Sequence, residues 1–319
     1  MMKIKILSRA MYATAIALGT TLTFTACDDN EPNPMTPENL VEIAAASPNF
    51  EILTSAIQAA ELEDDLSLSG PFTVFAPVDA GFEDFLTAND LTAGDLLASP
   101  DLENILTYHV LSGEVNSFDV EAGSYTALNE SQFYVSEDPS GDLWINGNAK
   151  IISTDIGATN GIIHALDQVI IPPSESIAEI AVASSTAAEP EFTQLVAALT
   201  RAGLVENVSG DAMDNLTVFA PTDAAFEDLY QTLGVNGVDD IPLDQLTDVL
   251  LYHVVPARAF SQDLRQDASL PTLLEGESLT VDLANLQINE SSLIPSALNI
   301  HGVNGVIHAI DQVLLPPME

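Results

Sequence analysis

The stretch Asn160–Pro173, NGIIHALDQVIIPP, returns almost unchanged as NGVIHAIDQVLLPP at Asn304–Pro317. Ten of the fourteen positions are identical, and the four that differ (Ile162/Val306, Leu166/Ile310, Ile170/Leu314, Ile171/Leu315) exchange one aliphatic side chain for another. Such exchanges keep a buried volume while changing its outline. The polar members Asn, His, Asp and Gln are kept in both copies. A buried strand with a few fixed hydrogen bonds would require that, and so would a binding site.

Working outward, the spacing of 144 residues holds at two more landmarks. TVFAPVDAGFEDF at Thr73 returns as TVFAPTDAAFEDL at Thr217, and Tyr108-His109-Val110 returns as Tyr252-His253-Val254. A period this long marks a duplicated domain, since solenoid units repeat every ~20–50 residues. Each copy falls within the usual ~100–200 residues of a domain and is large enough for its own core. The copies are bounded at 39–173 and 174–319, with only Ser174-Glu175-Ser176 between Pro173 and the first helical pattern of the second. So short a connection limits relative freedom.

Residues 1–27 have the form of an export signal. Lys3, Lys5 and Arg9 precede a mostly apolar run from Ala10 to Thr23, closed by Phe24-Thr25-Ala26-Cys27. The run is too short and too interrupted by Thr for a span, which needs about 20 apolar residues. Cys27 is the only cysteine, so no internal disulfide forms. Its setting resembles the lipobox of bacterial lipoproteins, with Phe24 in place of the usual leucine, which implies lipid attachment at Cys27. Residues 28–38 form an acidic, proline-rich tether extending about 3 Å per residue. Asp28-Asp29 resembles the signal that sends lipoproteins of some Gram-negative lineages to the outer face of the outer membrane. In enterobacteria Asp28 would instead imply inner-membrane retention, and a periplasmic-facing position stays open.

Within each copy, helices come first. Leu40, Ile43 and Ala44, then Phe50, Leu53 and Ile57, recur at spacings of three and four, with a break at Ser47-Pro48; Ile177, Ile180 and Ala181, then Phe192, Leu195 and Leu199, repeat the pattern. Short strands follow at TVFAP, ended by Pro77 and Pro221. Asp79 and Asp223 then stand in the first turn of a helix, where a carboxylate accepts free N–H groups of that turn. Asn146-Gly147 marks a hairpin, and Asn160-Gly161 and Asn304-Gly305 open a final strand expected to run to the double prolines.

Four of the five histidines form repeated pairs, His109/His253 and His164/His308, while His301 has no counterpart. His164 and Asp167 lie three apart, so in a strand they point to opposite faces and cannot converge on one ion. A buried histidine satisfied by backbone is the better account. Tyr108-His109 sits at a helix-to-strand junction, where hydrogen bonds bridging the two elements are expected. Glu137, Asp138 and Asp142 lack the spacing of a calcium loop and fit a solvated hairpin tip. There is no G-x-S-x-G elbow, no H-E-x-x-H and no phosphate-cradling glycine loop. The expectation is a protein without catalytic residues, metal or cofactor.

Loss of Lys3, Lys5 and Arg9 leaves four basic residues against 48 acidic ones, a formal charge of −44. That field excludes nucleic acid and repels anionic head groups. It is also typical of proteins in high salt, where screening over about 3 Å at molar ionic strength removes self-repulsion. A marine or halophilic host is the corresponding hypothesis.

With the three landmarks in hand, the chain resembles the fasciclin family: TVFAPVDAGF and TVFAPTDAAF its first signature, Tyr108-His109 and Tyr252-His253 its tyrosine-histidine motif, and the two NG…PP stretches its last. The motifs occur in family order in both copies, over nearly all of residues 39–317. The resemblance implies an α+β fold with two tandem domains, each a twisted, wedge-like β-sandwich with a layer of helices. It also implies binding rather than catalysis. In animal matrix members the tyrosine-histidine motif and an Asp-Ile pair before the last signature are assigned to receptor binding, which carries partner contact onto Tyr108, His109, Asp155, Ile156, Tyr252 and His253. In the second copy Asn299-Ile300 replaces Asp-Ile, so the charge is missing there.

The expected function is thus a lipid-anchored envelope protein, adhesive or matrix-interacting, whose partners are proteins or polysaccharides of the cell surface or matrix. The alternative is a carbohydrate-binding or scaffold lipoprotein of a surface transport or degradation system. An enzyme of unknown reaction is a third reading and would need acid and base converging in a pocket.

Overall fold

The computed structural model of the chain describes residues 38–210 and 215–317. The signal segment, Cys27 and the tether up to residue 37 lie outside the described residues. Both repeats belong to one compact unit.

The first repeat begins where Asn39 builds a capping box with Glu42, starting helix α1 (Leu40–Ala46). Helices α2 (Glu51–Ala59), α3 (Glu63–Leu66), α4 (Asp79–Ala88), α5 (Ala93–Leu97) and α6 (Leu102–Tyr108) follow, interrupted by strand β1 (Phe72–Pro77). Then come strands β2 (Val110–Ser112), β3 (Gly123–Thr126), β4 (Gln132–Glu137), β5 (Leu143–Ile145), β6 (Ala149–Ala158) and β7 (Gly161–Leu166). Among the described residues these strands form one sheet in the order β2-β1-β7-β6-β5-β4-β3. Only β1 and β7 run parallel, pairing Phe75 with His164, and these are the two strands that carry the first and last landmarks.

Period-2 alternation splits the core into two layers. Val74, Ala76, Ile163 and Ala165 face the helices and pack with Leu53, Phe82 and Leu106. Phe75 and Leu166 face the other way, against Tyr108, Phe133 and Ile145. Phe75 meets Phe133 edge to face at 5.3 Å. Each such fully buried large side chain contributes roughly 1.5–3 kcal/mol.

The second repeat has helices α7 (Ile177–Ser185), α8 (Thr193–Ala202), α9 (Val205–Ser209), α10 (Asp223–Leu233) and α11 (Leu243–Tyr252). Its strands are β8 (Leu216–Pro221), β9 (Val254–Val255), β10 (Ser269–Pro271), β11 (Ser278–Asp282), β12 (Gln287–Ile288), β13 (Ser291–Ser292), β14 (Ile300–Gly302) and β15 (Gly305–Ile310). The two-layer core recurs, with Val218, Ala220, Ile307 and Ala309 toward the helices and Phe219 and Ile310 away from them. The strands, however, form two four-stranded sheets, β10-β11-β12-β13 and β14-β15-β8-β9. The cause sits at Pro295. Leu293 takes the place of Ile151, bridging Ile310 as Ile151 pairs with Leu166, and Pro295 follows two residues later, where Pro295–Ala297 form a 3-10 turn instead of continuing the strand. A ring with no N–H cannot continue the ladder.

Two expectations from sequence are corrected. Asp79 does start α4, but its carboxylate caps a different helix: Ile52 N–H donates to Oδ1 at 2.8 Å and Glu51 N–H to Oδ2 at 3.2 Å. Helix α2 starts after Phe50, which has no acceptor, so the neighbour supplies one. Asp223 likewise accepts Gln194 N–H at 2.8 Å and Thr193 Oγ1–H at 2.6 Å, following Phe192. The second correction shortens the last strands, which stop at Leu166 and Ile310, six residues before the first of each proline pair. There Asp167 accepts Lys150 N–H at 2.7 Å and Asp311 accepts Ser292 N–H at 2.7 Å, so a side chain takes over from the ladder.

Candidate functional site

Four of the six residues assigned to partner contact lie in the core. Tyr108 is fully buried; its hydroxyl donates to Gln132 O at 2.8 Å and accepts from Asn146 Nδ2 at 3.0 Å. Tyr252 repeats this, donating to Ser278 O at 3.1 Å and accepting from Asn289 Nδ2 at 3.0 Å. Burial pushes the Tyr108 phenol well above its ordinary range. His109 bonds Ile105 O through Nδ1 at 2.7 Å and accepts Ile170 N–H at Nε2 at 3.1 Å; His253 does the same with Val249 O at 2.7 Å and Leu314 N–H at 2.9 Å. Accepting at Nε2 requires the neutral ring with its proton on Nδ1. Burial holds both rings neutral, lowering each to about 4. The motif therefore bolts the end of a helix to a hairpin and to the chain leaving the last strand. It offers a partner no surface.

His164 and His308 are equally internal. Each Nε2 meets a carbonyl, Val115 O at 2.8 Å or Ala259 O at 2.9 Å, and each Nδ1 faces a backbone N–H, from Asp155 or Asn299 at 3.3 Å. Asp167 is turned to Lys150 and does not meet His164. The carboxylates of the DPSGD turn are also engaged: Asp138 takes Trp144 Nε1–H at 3.0 Å with Ser140 and Asp142 N–H, and Asp142 pairs with Lys150. Among the described residues, no group of three His, Cys, Asp or Glu side chains is arranged to hold a metal ion.

Asp155 and Ile156 are different. Asp155 is exposed, sits at φ +60°, and accepts from the hydroxyl and N–H of Ser117, which hold its carboxyl below the usual range. Ile156 is half-buried against the helix-side core. The first repeat presents a second unusual side chain beside them in the Ser117 loop: Phe118 is 80% exposed.

The counterpart of this loop pair in the second repeat is covered, and what covers it is the first repeat. Ser261 N–H donates to Asn299 Oδ1 at 2.8 Å, as Ser117 does to Asp155, which makes the two loops equivalent. Asn299 Nδ2 then donates to Gly147 O at 2.8 Å across the domain boundary, joined by Gln262 Nε2 at 2.8 Å. Asn148 Nδ2 returns a bond to Asn299 O at 3.1 Å. The Arg258 guanidinium lies 4.3 Å over the Tyr134 ring while donating to the carbonyls of Gly302, Val303 and Gly305. Arg265 reaches Glu137 O at 2.7 Å. Gly147 is needed at this approach: its φ is +67°, and a Cβ there would come within 2.7 Å of Asn299 Cγ.

Reading Asn299-Ile300 as a motif that lost its charge thus misses its role, because the amide provides the donor that joins the domains. The seam was legible as contrast between copies, though no motif marks it. At the repeat spacing Glu114 stands opposite Arg258, Asn116 opposite Phe260, Phe118 opposite Gln262 and Gly157 opposite His301, whereas the two NG…PP stretches differ only by aliphatic exchanges.

The chain thus holds two α+β domains with their polar motifs turned inward, and a surface loop pair that in the second repeat packs against the first. The Fasciclin domain matches residues 48–172 and 190–316. The chain belongs to the fasciclin family. It is 40% identical over 136 residues to Protein sll1483 of Synechocystis sp., covering 42% of this chain and 73% of that one. It is 30% identical over 285 residues to transforming growth factor-beta-induced protein ig-h3 of Sus scrofa, covering 88% of this chain and 38% of that one. Among solved structures it matches a FAS1 domain pair from the insect cell adhesion molecule Fasciclin I at 17% identity and a TM-score of 0.37, covering 83% of this chain and 95% of that one. Fasciclin domains are found in cell-adhesion and matrix-interaction proteins.

Proposed function

We propose that this protein is a non-catalytic adhesion or matrix-interaction protein of the bacterial cell envelope, lipid-anchored through Cys27 to the outer membrane and facing outward. Its partners are proteins or polysaccharides of a cell surface or matrix. The observation that supports this reading is the bare loop pair of the first repeat: Phe118, Asp155 and Ile156 form the copy of a surface that in the second repeat is occupied by another domain. An 80% exposed phenylalanine beside an exposed carboxylate is the kind of surface that marks an interaction site. The arrangement also favours contact with partners that donate hydrogen bonds or carry positive charge. Where the second repeat has the donors Arg258, Gln262 and Asn299, the first has Glu114, Phe118 and Asp155.

Comparing surface attachment of cells expressing the intact protein, the Phe118→Ser/Asp155→Ala variant and none tests this. Attachment should fall in the variant nearly to the level without the protein. Equal attachment of all three would overturn the reading. Labelling intact cells with an antibody against the second repeat tests the outward-facing anchor, and Cys27→Ala should release the protein from the membrane fraction.

A further inference from the structure

An asparagine followed by glycine is prone to lose its side-chain amide, because glycine leaves its own backbone nitrogen unshielded and the chain around it free to turn. The chain has four such pairs: Asn146-Gly147, Asn160-Gly161, Asn236-Gly237 and Asn304-Gly305. Three are locked. Asn146, Asn160 and Asn304 are buried, and each side chain is held at both ends. Asn146 donates to the Tyr108 hydroxyl at 3.0 Å and accepts Tyr134 N–H at 2.9 Å. Asn160 donates to Leu66 O and Leu68 O, both at 2.8 Å, and accepts Leu40 N–H at 2.9 Å. Asn304 donates to Val208 O at 3.0 Å and accepts Ile177 N–H at 2.9 Å. Their glycines are equally confined: a Cβ on Gly161 or Gly305 would run into the carbonyl of Phe72 or Leu216, and one on Gly147 into the Asn299 side chain.

The fourth pair is open. Asn236 is exposed, in the loop between α10 and the 3-10 turn Val238–Asp240. A Cβ on Gly237 would meet nothing within 4 Å, and among the described residues no hydrogen bond holds the Gly237 N–H. Asp240 Oδ2 accepts both Asn236 N–H at 2.8 Å and Asn236 Nδ2–H at 3.1 Å. That acceptor is exposed, so water can take its place at little cost. At the repeat spacing Thr92-Ala93 stands here, and the first repeat has no amide to lose.

Exposure and freedom to turn are what the reaction needs. Once base removes the Gly237 N–H proton, that nitrogen attacks Asn236 Cγ. The new N–Cγ bond closes a cyclic imide, the Cγ–Nδ2 bond breaks, and ammonia leaves. Water then adds to either imide carbonyl; opening one way gives aspartate, and opening the other gives isoaspartate, whose main chain runs through the former side-chain carbon. One water is taken up and one ammonia released, with no oxidation or reduction. Closing the imide swings the glycine nitrogen onto Cγ, a rotation that the three sealed pairs cannot make unless the structure around them opens.

We propose that Asn236-Gly237 is a site of spontaneous modification, where the exposed loop of the second repeat converts through an imide to aspartate and isoaspartate while the other three pairs stay intact. Conversion removes the amide donor to Asp240 and sets a second carboxylate beside it, a repulsive pair. The disturbed turn also carries the acceptors of Arg201 on α8, Val238 O at 2.6 Å and Asp239 O at 3.1 Å. The product is a second repeat whose α8 is less firmly tied to this turn, in a fraction that grows with the age of the molecule.

The test is incubation of the full chain in mildly alkaline H₂¹⁸O, followed by peptide mass spectrometry at the four asparagines. Heavy oxygen should enter at Asn236 faster than at Asn146, Asn160 or Asn304 by about a hundredfold or more, since those three react only in the small fraction of molecules that has opened. In urea, with the folded contacts gone, the four rates should converge. Gly237→Val, whose side chain has open space around it, should shield the nitrogen and slow conversion of Asn236 by about tenfold or more. Converted protein, separated by its extra charge, should unfold at lower urea than unconverted protein. Equal rates at the four sites in the folded chain, a difference that persists undiminished in urea, or an unchanged rate in Gly237→Val would overturn the proposal. An unchanged urea midpoint would overturn the loosening of α8.

Discussion

Strand β6 of the first repeat runs unbroken from Ala149 to Ala158, while its counterpart in the second repeat is a two-residue strand, a 3-10 turn at Pro295 and a three-residue strand. The two segments also present their equivalent residues differently: Asp155 is exposed, while Asn299 is buried against the neighbouring domain. The fold tolerates the break because each fragment stays paired on its own, β13 with β12 and β14 with β15, and because Leu293 still bridges to Ile310 and Ile294 N–H still donates to Ala309 O. A duplicated domain can therefore change the face that meets its twin without disturbing the core that both share.

The largest expected effect tests what the repeats hold in common. His109, His253 and His308 are all kept neutral, each lowered to about 4 from an ordinary 6.5. The unfolded chain therefore binds more protons than the folded one between these values. Stability is full above pH 6.5, declines as pH falls toward 4, and levels off below that. The full effect is about 3 kcal/mol per histidine. Urea unfolding from pH 7 to 4 should show it in both domains; a midpoint independent of pH over this window would contradict the inward-facing motif.

Next comes Asn299→Asp, which gives the second repeat the residue of the first. It removes the donor to Gly147 O and sets a carboxylate among carbonyls, so a loss of about 3 kcal/mol is expected, with the two domains unfolding in separate steps. A single unchanged transition by calorimetry would show that the amide does not join the domains. Ser153→Pro, two residues after the Ile151–Leu166 pair as Pro295 is two after the Leu293–Ile310 bridge, copies the second repeat's break into β6 and should cost about 2 kcal/mol, less than an interior break elsewhere in that sheet, because the surrounding pairings persist. Smallest is Asp155→Asn, at an exposed site. It should leave the melting temperature at pH 7 unchanged. It should also abolish the small acid-induced loss that arises because Ser117 holds the Asp155 carboxyl below its ordinary range, a contribution present above about pH 4 and lost as pH falls through the lowered value.

Much of the fold was legible in the chain. The repeat, the helix-first order and the period-2 burial of TVFAP and GIIHAL follow from side chains that need only their immediate neighbours to be interpreted. Capping was legible only in part: an Asp at a helix start reads as that helix's own cap, and the fact that Phe50 and Phe192 lacked an acceptor emerges only when α4 is seen beside α2 and α10 beside α8. The candidate site divided in the same way. The resemblance gives Tyr108-His109 and Asp155-Ile156 the same role in partner contact, yet the structure buries the first two and exposes Asp155, leaving Ile156 half-buried.

The sequence by itself determined that one α+β fold occurs twice, that its shared polar residues recur at fixed places, and that the protein carries a strongly acidic charge, because periodicity, composition and repetition are local properties of a chain. Only the tertiary structure decided which copies of those places face solvent. Asp155 and Asn299 hold equivalent places and take the same Ser N–H, and whether the side chain faces solvent or joins two domains depends on Gly147, 152 residues away from Asn299. Contacts across that separation are set by how two folded surfaces meet, which no local pattern records.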